Sequence, residues 1–160
     1  MSKINRKLTI AAVLVAGAFG GAALRFAWAT PGAGVMSAVL SGAVLLDEID
    51  TKGESDTHEV EIKTRGEWEM RVVHFNIEPG GHTGWHSHPG PVFVMVTGGT
   101  MTLYQADDLD NPADYPAGTG FVEHAGRVHI ARNEGDVDLE LDAFLLVPQG
   151  APLRIDEPAP

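Results

Sequence analysis

Histidines at two separate places in the chain could bind one metal ion. His86 and His88 are separated by a single residue. An extended backbone rises roughly 3.3 Å per residue and sends alternate side chains to one face, so both imidazoles would project together about 6.6 Å apart. Metal-to-nitrogen distances near 2.0–2.1 Å require these rings to lean together, and a third ligand must come from another strand. His129, in the short apolar stretch 128–131, is the best candidate for that ligand.

The His-x-His pair by itself is a weak signal, because exposed loop histidines among Gly and Pro are an ordinary alternative. The chain has no cysteine, so any metal ion must be bound by histidine, carboxylate or backbone oxygen. Glu123 is the carboxylate nearest to the third histidine, and Gly126 is expected to break the strand between them. Glu123 is therefore a candidate additional ligand, and otherwise an acid beside the ligands or on the surface.

After residue 34 the chain is typical of short β-strands separated by turns rich in Gly, Pro and Asn. Many short strands at this spacing indicate an all-β sandwich or barrel. The apolar stretch 35–46 is ambiguous between strand and helix, and the acidic segment 107–112 is expected to be a solvated loop. The predicted strands cover 35–46, 60–63, 68–77, 92–97, 100–104, 120–122, 128–131 and 137–147.

The first histidine pair lies in a segment that resembles the first motif of the cupin superfamily. That motif is a Gly, five residues, His-x-His, three or four residues, Glu, six residues and a second Gly. Gly80, His86, His88 and Gly99 stand in register with it. Val92 occupies the position of the family's Glu ligand, and a valine cannot bind a metal ion.

The third histidine lies in a segment that resembles the second cupin motif. That motif is a Gly, five residues, Pro-x-Gly, two residues, His, three residues and Asn. Gly118, Gly126, His129 and Asn133 keep its spacing, with His124 at the position of the Pro. The two motifs together make a specific signal, and the flanking segments supply enough strands for a complete barrel.

The resemblance implies a single-domain cupin: a small conical β-barrel of the double-stranded β-helix type, jelly-roll-like and often dimeric. Inside it, His86, His88 and His129 would hold one divalent metal ion, which could be Fe, Mn, Ni or Zn. With Val92 at the Glu position, a three-histidine face leaves the ion its full charge and several open coordination positions. This argues against the manganese oxalate chemistry of four-ligand cupins. It leaves open dioxygenation and metal-assisted hydration, isomerisation or lyase steps, with Glu123 as a replacement carboxylate.

The first 29 residues differ in composition from the rest. Lys3, Arg6 and Lys7 precede the uncharged, apolar run 8–24, and a small-x-small pattern ends at Ala29. This order is typical of a signal peptide, with cleavage expected after Ala29. The alternative is an uncleaved N-terminal membrane anchor helix, for which the run is short and weakly hydrophobic. Either interpretation predicts a secreted or extracytoplasmic protein, bound to the cell surface if the segment is retained.

The expected domain organisation is a signal or anchor at 1–29, a linker at 30–35, a cupin barrel at 36–150 and a Pro-rich tail at 151–160. The net charge is −11. Removal of the first 29 residues takes away four of the 11 basic residues and none of the 22 acidic ones, which leaves −15. Such an acidic chain lacks the clustered Lys and Arg that bind phosphate backbones, so nucleic acid is excluded as a partner.

The favoured interpretation of function is an exported mononuclear metal enzyme acting on a small organic substrate. A non-enzymatic module that binds a metal ion or a small metabolite outside the cell is the alternative. A structural barrel with relic histidines is the third interpretation, because a fold does not establish a chemistry. The expected partners are a small-molecule ligand or substrate and a second copy of the chain in a homodimer, with membrane contact only through an uncleaved N-terminal segment.

Overall fold

The structure is a computed structural model that describes residues 29–160. This part of the chain is all β and contains no helix, and therefore none that could cross a membrane. The predicted signal or anchor at 1–29 lies outside the described part except for its last residue, Ala29. The strands are β1 (Ala33–Val44), β2 (Asp50–Glu54), β3 (Glu59–Lys63), β4 (Trp68–His82), β5 (His86–Ser87), β6 (Val92–Gly98), β7 (Thr100–Gln105), β8 (Asp108–Pro116), β9 (Gly120–Glu123), β10 (His129–Arg132), β11 (Leu139–Pro148) and β12 (Ile155–Asp156).

Ten of these strands form one antiparallel sheet that curls into a nearly closed barrel. One half has the order β1-β4-β11-β6-β9. The other half contains β12, β5, β10, β7 and β8. The long strand β4 belongs to both, because its last residue, His82, pairs with Arg132 of β10. This confirms the predicted fold class of a single small β-barrel.

The barrel interior is built by strict alternation of side chains along the strands. In β6, Val92, Val94 and Val96 are buried, whereas Phe93 and Met95 between them are exposed. Successive side chains of a strand point to opposite faces, so this pattern gives one apolar face and one solvated face. Strand β11, which pairs with β6 on one side and β4 on the other, adds a second row of buried Leu, Ala and Val side chains. The apolar rows enclose the space in which the candidate site lies.

The ends of the two motif segments are fastened to each other by Asn133. Its backbone N–H donates to the carbonyl of Gly81 at 3.0 Å, and its own carbonyl accepts from the N–H of Gly80 at 2.9 Å. The buried side-chain amide donates to the carbonyls of Ile77 and Val137, both at 2.8 Å. A buried amide with satisfied donors fixes the backbone around it. The motif Asn therefore holds the two histidine-bearing segments in register.

Several elements differ from the predicted organisation. Strands β2 and β3 form a separate exposed hairpin outside the barrel. The acidic segment expected to be a solvated loop is largely strand β8, which pairs with β7. Strand β1 begins within the predicted linker 30–35, and the Pro-rich tail 151–160 contains β12, which pairs with β5. Strands β2, β8 and β12 lack a buried apolar face, so hydrophobic periodicity does not reveal them. Strands β1 and β3 correspond to the predicted stretches 35–46 and 60–63.

Candidate metal centre

The structure brings the three predicted histidines together at one end of the barrel. His86 begins β5, His129 begins β10, and the two are direct partners in the antiparallel pair. His88 follows one residue after β5, on the same face as His86. Each of the three offers one ring nitrogen, and these nitrogens all lie within 4.8 Å of one another. All three side chains are buried. Together they form a compact cluster of the kind that binds metal ions.

All three imidazoles are oriented by the backbone in the same way. In each ring, Nδ1 is within hydrogen-bond distance of a carbonyl oxygen: His86 with Gly84 at 2.9 Å, His88 with Leu153 at 2.6 Å, and His129 with Arg127 at 2.9 Å. A carbonyl only accepts hydrogen bonds, so Nδ1 of each neutral ring carries the proton and Nε2 keeps its lone pair. Backbone partners of this kind fix the tautomer and orientation of metal-binding histidines.

The Nε2 atom of His129 is a buried polar atom without a hydrogen-bond partner. Unpaired buried polar groups are costly in a folded protein and call for an explanation. Its neighbour is a carboxylate oxygen of Glu123 at 3.2 Å, in a contact that is not aligned as a hydrogen bond. The lone pair of a neutral imidazole and an ionised carboxylate are both electron donors, and a cation that both groups could reach would satisfy them. The residues present therefore fit a divalent metal ion.

Glu123 lies inside the cluster rather than on the surface. Its carboxylate is 3.3 Å from Nε2 of His88 and 3.2 Å from Nε2 of His129. Glu123 is the direct partner of Val92 across the β6–β9 pair. Directly opposed residues of an antiparallel pair project from the same face about 4.5–5.5 Å apart. The carboxylate missing at residue 92 is thus supplied from the neighbouring strand at the same level of the barrel.

Burial and mutual proximity shift the acid–base behaviour of the cluster. Burial lowers the pKa of His86 to about 3, and the charges of His129 and His88 act in the same direction. Burial also opposes the charged forms of Glu123 and His129, but their proximity outweighs it. Glu123 holds the pKa of His129 above its usual value, and His129 and His88 hold the pKa of Glu123 well below the usual carboxyl range. The apo cluster therefore contains an ionised carboxylate throughout the neutral pH range.

The backbone turn that carries the first two histidines depends on Gly84. Its φ of +75° is a conformation that residues with a Cβ rarely adopt, and an added Cβ would overlap the carbonyl oxygen of Thr30. The N-terminal segment therefore rests directly on the turn. The carbonyl of the same glycine accepts the Nδ1 proton of His86, so this turn also sets the orientation of that ring.

The cluster borders a cavity of about 410 Å³ inside the barrel. His86, His88 and Glu123 contribute to its wall, and most other contributors are apolar. Among residues 29–160, Arg154 is the only Lys or Arg side chain that lines it. The apolar members of the wall include Val35, Val39, Val73, Phe75, Ile77, Val92, Val94, Met101, Leu141, Ala143, Leu145 and Leu153. Concave, mostly apolar cavities with a few convergent polar groups are typical of small-molecule sites.

The C-terminal tail contributes to the site in a way that the sequence does not predict. The carbonyl of Leu153 holds the ring of His88, and Arg154 reaches the cavity wall. The only signal for this role is the Leu-Arg-Ile triplet at 153–155, which interrupts an otherwise Pro-rich tail. His74, in contrast, lies away from the cluster and pairs with Asp142 at 2.8 Å on the outer side of β4.

Comparison with known proteins agrees with this architecture. The Cupin domain family model matches residues 73–148. Among solved structures, the chain is similar to a cupin superfamily protein from Desulfitobacterium hafniense, with 14% identity, 71% of this chain and 77% of that chain covered, and a TM-score of 0.48. It is also similar to an oxalate oxidase in complex with the substrate analogue glycolate, with 22% identity, coverage of 54% and 45%, and a TM-score of 0.47. The polyketide cyclase RemF from Streptomyces resistomycificus shows 16% identity, coverage of 52% and 62%, and a TM-score of 0.43. No curated protein matches the chain.

The fold and the histidine cluster define a small β-barrel protein with a candidate metal site in its interior. The family match covers both motif segments, so residues 73–148 form a cupin domain.

Proposed function

We propose that this chain is an exported cupin that binds one divalent metal ion and acts as a metal-dependent enzyme on a small organic substrate. The ligands are His86, His88 and His129, with Glu123 as a fourth. One observation carries this proposal: the buried Nε2 of His129 has no hydrogen-bond partner and lies 3.2 Å from a buried carboxylate. Three imidazoles in one tautomer beside a single carboxylate form a donor set that suits Fe, Mn, Ni or Zn.

The residues of the chain have distinct roles in such a site. A bound divalent ion would supply Lewis acidity and open positions for an oxygen-containing ligand. The backbone carbonyls keep the histidine lone pairs directed inward, and Glu123 lowers the net charge of the centre from +2 to +1 when it is ionised. The apolar wall excludes water and restricts how a substrate can lie. These features suit dioxygenase, isomerase or lyase chemistry on a substrate small enough for a 410 Å³ cavity.

Metal content tests the assignment of the ligands. The protein purified from its native compartment is expected to contain about one divalent ion per chain by elemental analysis. The double variant H86A/H88A should lose the ion yet keep a folded barrel by circular dichroism. The matched control H58A/H124A removes two exposed histidines and should retain the ion. Stoichiometric metal in H86A/H88A would refute the assignment.

The proposed export rests on the composition of the first 29 residues. The secreted or periplasmic fraction should contain a chain that begins at Thr30, as determined by N-terminal sequencing. An intact Met1 in the membrane fraction would instead support a retained anchor. A full-length chain confined to the cytosol would contradict both.

One observation favours a non-enzymatic binding module as a second candidate. Among the described residues, the cavity wall contains no carboxylate or histidine apart from members of the cluster itself. A separate proton-transfer group is therefore absent from the wall, which would suit capture of a metal ion or a small metabolite without turnover. Substrate-dependent product formation or oxygen consumption by the metal-loaded protein distinguishes an enzyme from a binding module.

A further inference from the structure

Arg154 places a cation at the wall of an otherwise apolar cavity. It follows Leu153, whose carbonyl holds the ring of His88, and its Nη1 donates to the carbonyl of Thr83 at 2.9 Å. The tail thus delivers both groups to the same end of the barrel as the histidine cluster. Asp156 is the charge partner of Arg154, and the side chain is 37% exposed, so the cation is held at the cavity wall by groups of the protein itself.

The hydrogen bonds of Arg154 leave part of its guanidinium free. Nε donates to Oδ1 of Asp156 at 2.7 Å, Nη2 pairs with the same oxygen, and Nη1 donates to Thr83. A guanidinium has five N–H donors in a fixed plane, so two donors remain for another partner. Asp156 and Thr83 hold the group in one orientation. A preorganised fork of this kind suits a carboxylate oxygen better than a neutral carbonyl.

The cavity wall beyond Arg154 is apolar, which indicates the kind of molecule that could fill it. Valines 35, 39, 73, 92 and 94, with leucines 141, 145 and 153, make a surface that an aliphatic or aromatic body can cover. A cavity of about 410 Å³ is at the lower end of the range for small-molecule sites, roughly 300–1,000 Å³. The cavity therefore suits a small molecule with one polar end and one apolar end.

The charges of the surrounding groups select the sign of the polar end. Among the described residues that line the cavity, Arg154 is the one Lys or Arg, and its two remaining N–H groups can only donate hydrogen bonds. An anionic group that accepts from both suits this end of the cavity. The remainder of the protein is strongly acidic, so it would attract an anion only through these local groups.

We propose that Arg154 is a specificity-determining residue that binds the carboxylate of a small monocarboxylic acid whose apolar body fills the barrel cavity. The inference deepens the proposed function, because it places the ligand of Arg154 beside the metal centre.

The test compares hexanoate with its neutral isostere hexanamide. Ligand-observed NMR titrations measure both affinities on the wild type, first loaded with metal and then after chelator treatment, with metal content determined on each sample. Hexanoate should bind more tightly than hexanamide in both forms. In R154Q, hexanoate affinity should fall by about ten- to hundredfold, which corresponds to the loss of hydrogen bonds to a charged group. The affinity for hexanamide should remain within about twofold.

The chain offers a matched control in Arg65. Its Nη1 donates to the carbonyl of Thr64 at 2.7 Å and its Nη2 to Asp50 at 2.8 Å, which reproduces the partners of Arg154 outside the cavity. R65Q should bind both probes like the wild type. The inference is overturned if R154Q keeps wild-type affinity for hexanoate, if both probes weaken equally, or if neither binds the wild type. A wild-type protein that takes up no divalent ion when metal is added, yet shows the Arg154-dependent preference, would contradict the proposed metal function and leave this inference standing.

Discussion

Glu123 reaches the proposed metal centre from the strand opposite the one that carries the Glu position of the cupin motif. The two positions, 92 and 123, are paired residues on the same face of the β6–β9 ladder. A carboxylate from either can therefore reach the same region of the barrel. A sequence motif specifies the carboxylate at one position of one strand. It therefore misses a carboxylate on the adjacent strand, because positions 92 and 123 come together only when the two strands pair.

Exchanging the residues at these two positions tests the role of the carboxylate. E123V should lower metal affinity by more than about tenfold, because even the loss of outer partners of a metal ligand has that effect. V92E alone should destabilise the metal-free protein, since it adds a second buried carboxylate beside Glu123. The double variant V92E/E123V should recover most of the affinity in calorimetric metal titrations. Wild-type affinity in E123V would show that the carboxylate is not a ligand, whereas a double variant as weak as E123V would show that residue 92 does not reach the site.

The pKa shifts of the histidines predict the pH dependence of metal binding. Because Glu123 holds the pKa of His129 above its usual 6.5, this ring takes up a proton early as the pH falls, and a metal ion must displace it. The pKa of His86 is about 3, so His86 stays neutral and adds no competition. Metal affinity should therefore fall by about tenfold per pH unit just below the pKa of His129, and this fall should begin above pH 6.5. Competition with a chelator between pH 8 and 6 measures it, and a flat profile would contradict ligation by His129.

At the scale of elements, the turn at Gly84 joins the N-terminal segment to the site. Gly84 and Gly66 have similar positive φ angles, +75° and +79°, but only Gly66 has open space where a Cβ would stand. G66A should therefore cost only backbone strain, about 1–2 kcal/mol in the free energy of unfolding. G84A must also displace Thr30 and should cost about 3 kcal/mol or more. Urea unfolding of both variants checks this, and equal costs would mean that the N-terminal segment does not rest on the turn.

The sequence predicts those elements that bury one apolar face. Strands β4, β6, β7 and β11 carry apolar rows that pair inside the barrel, and their predicted positions agree closely with the structure. Strands β2 and β8 are exposed on both faces and are not predicted, because backbone pairing alone defines them. Strand β3 is equally exposed, but its alternating Val60 and Ile62 predict it at 60–63. The cluster of three histidines is predictable from motif spacing. The position of Leu153 and Arg154 beside this cluster is not predictable from the sequence, because it depends on where a polar tail pairs after the barrel has closed.

At the scale of the whole molecule, strand β1 presents an exposed edge. It is 12 residues long, nearly all of it exposed, and within residues 29–160 it pairs only with β4. Exposed apolar side chains on this strand include Met36, Val39, Leu40 and Val44. A long, exposed, apolar edge strand readily pairs with another chain. The predicted homodimer would use this edge.

The oligomeric state of variants with a charge on or near β1 tests whether the homodimer uses this strand. Sedimentation analysis of residues 30–160 should give twice the mass of one chain. M36K places a charge on the exposed face of β1 and should shift the equilibrium to single chains. L46K introduces the same charge at a position that is 95% exposed and lies just outside the strand, and should leave the dimer intact. A wild-type protein that sediments as one chain would contradict the prediction.

The two ends of the described chain meet beside the histidine cluster. Thr30 donates its backbone N–H to the carbonyl of Glu157, and the ring of His88 depends on the carbonyl of Leu153. A ribosome or translocation channel that still held residues 153–157 would thus withhold one of the supports of the site. Metal binding at the proposed site would follow the release of this segment, and the ions available in the compartment where it folds would decide which element the protein carries.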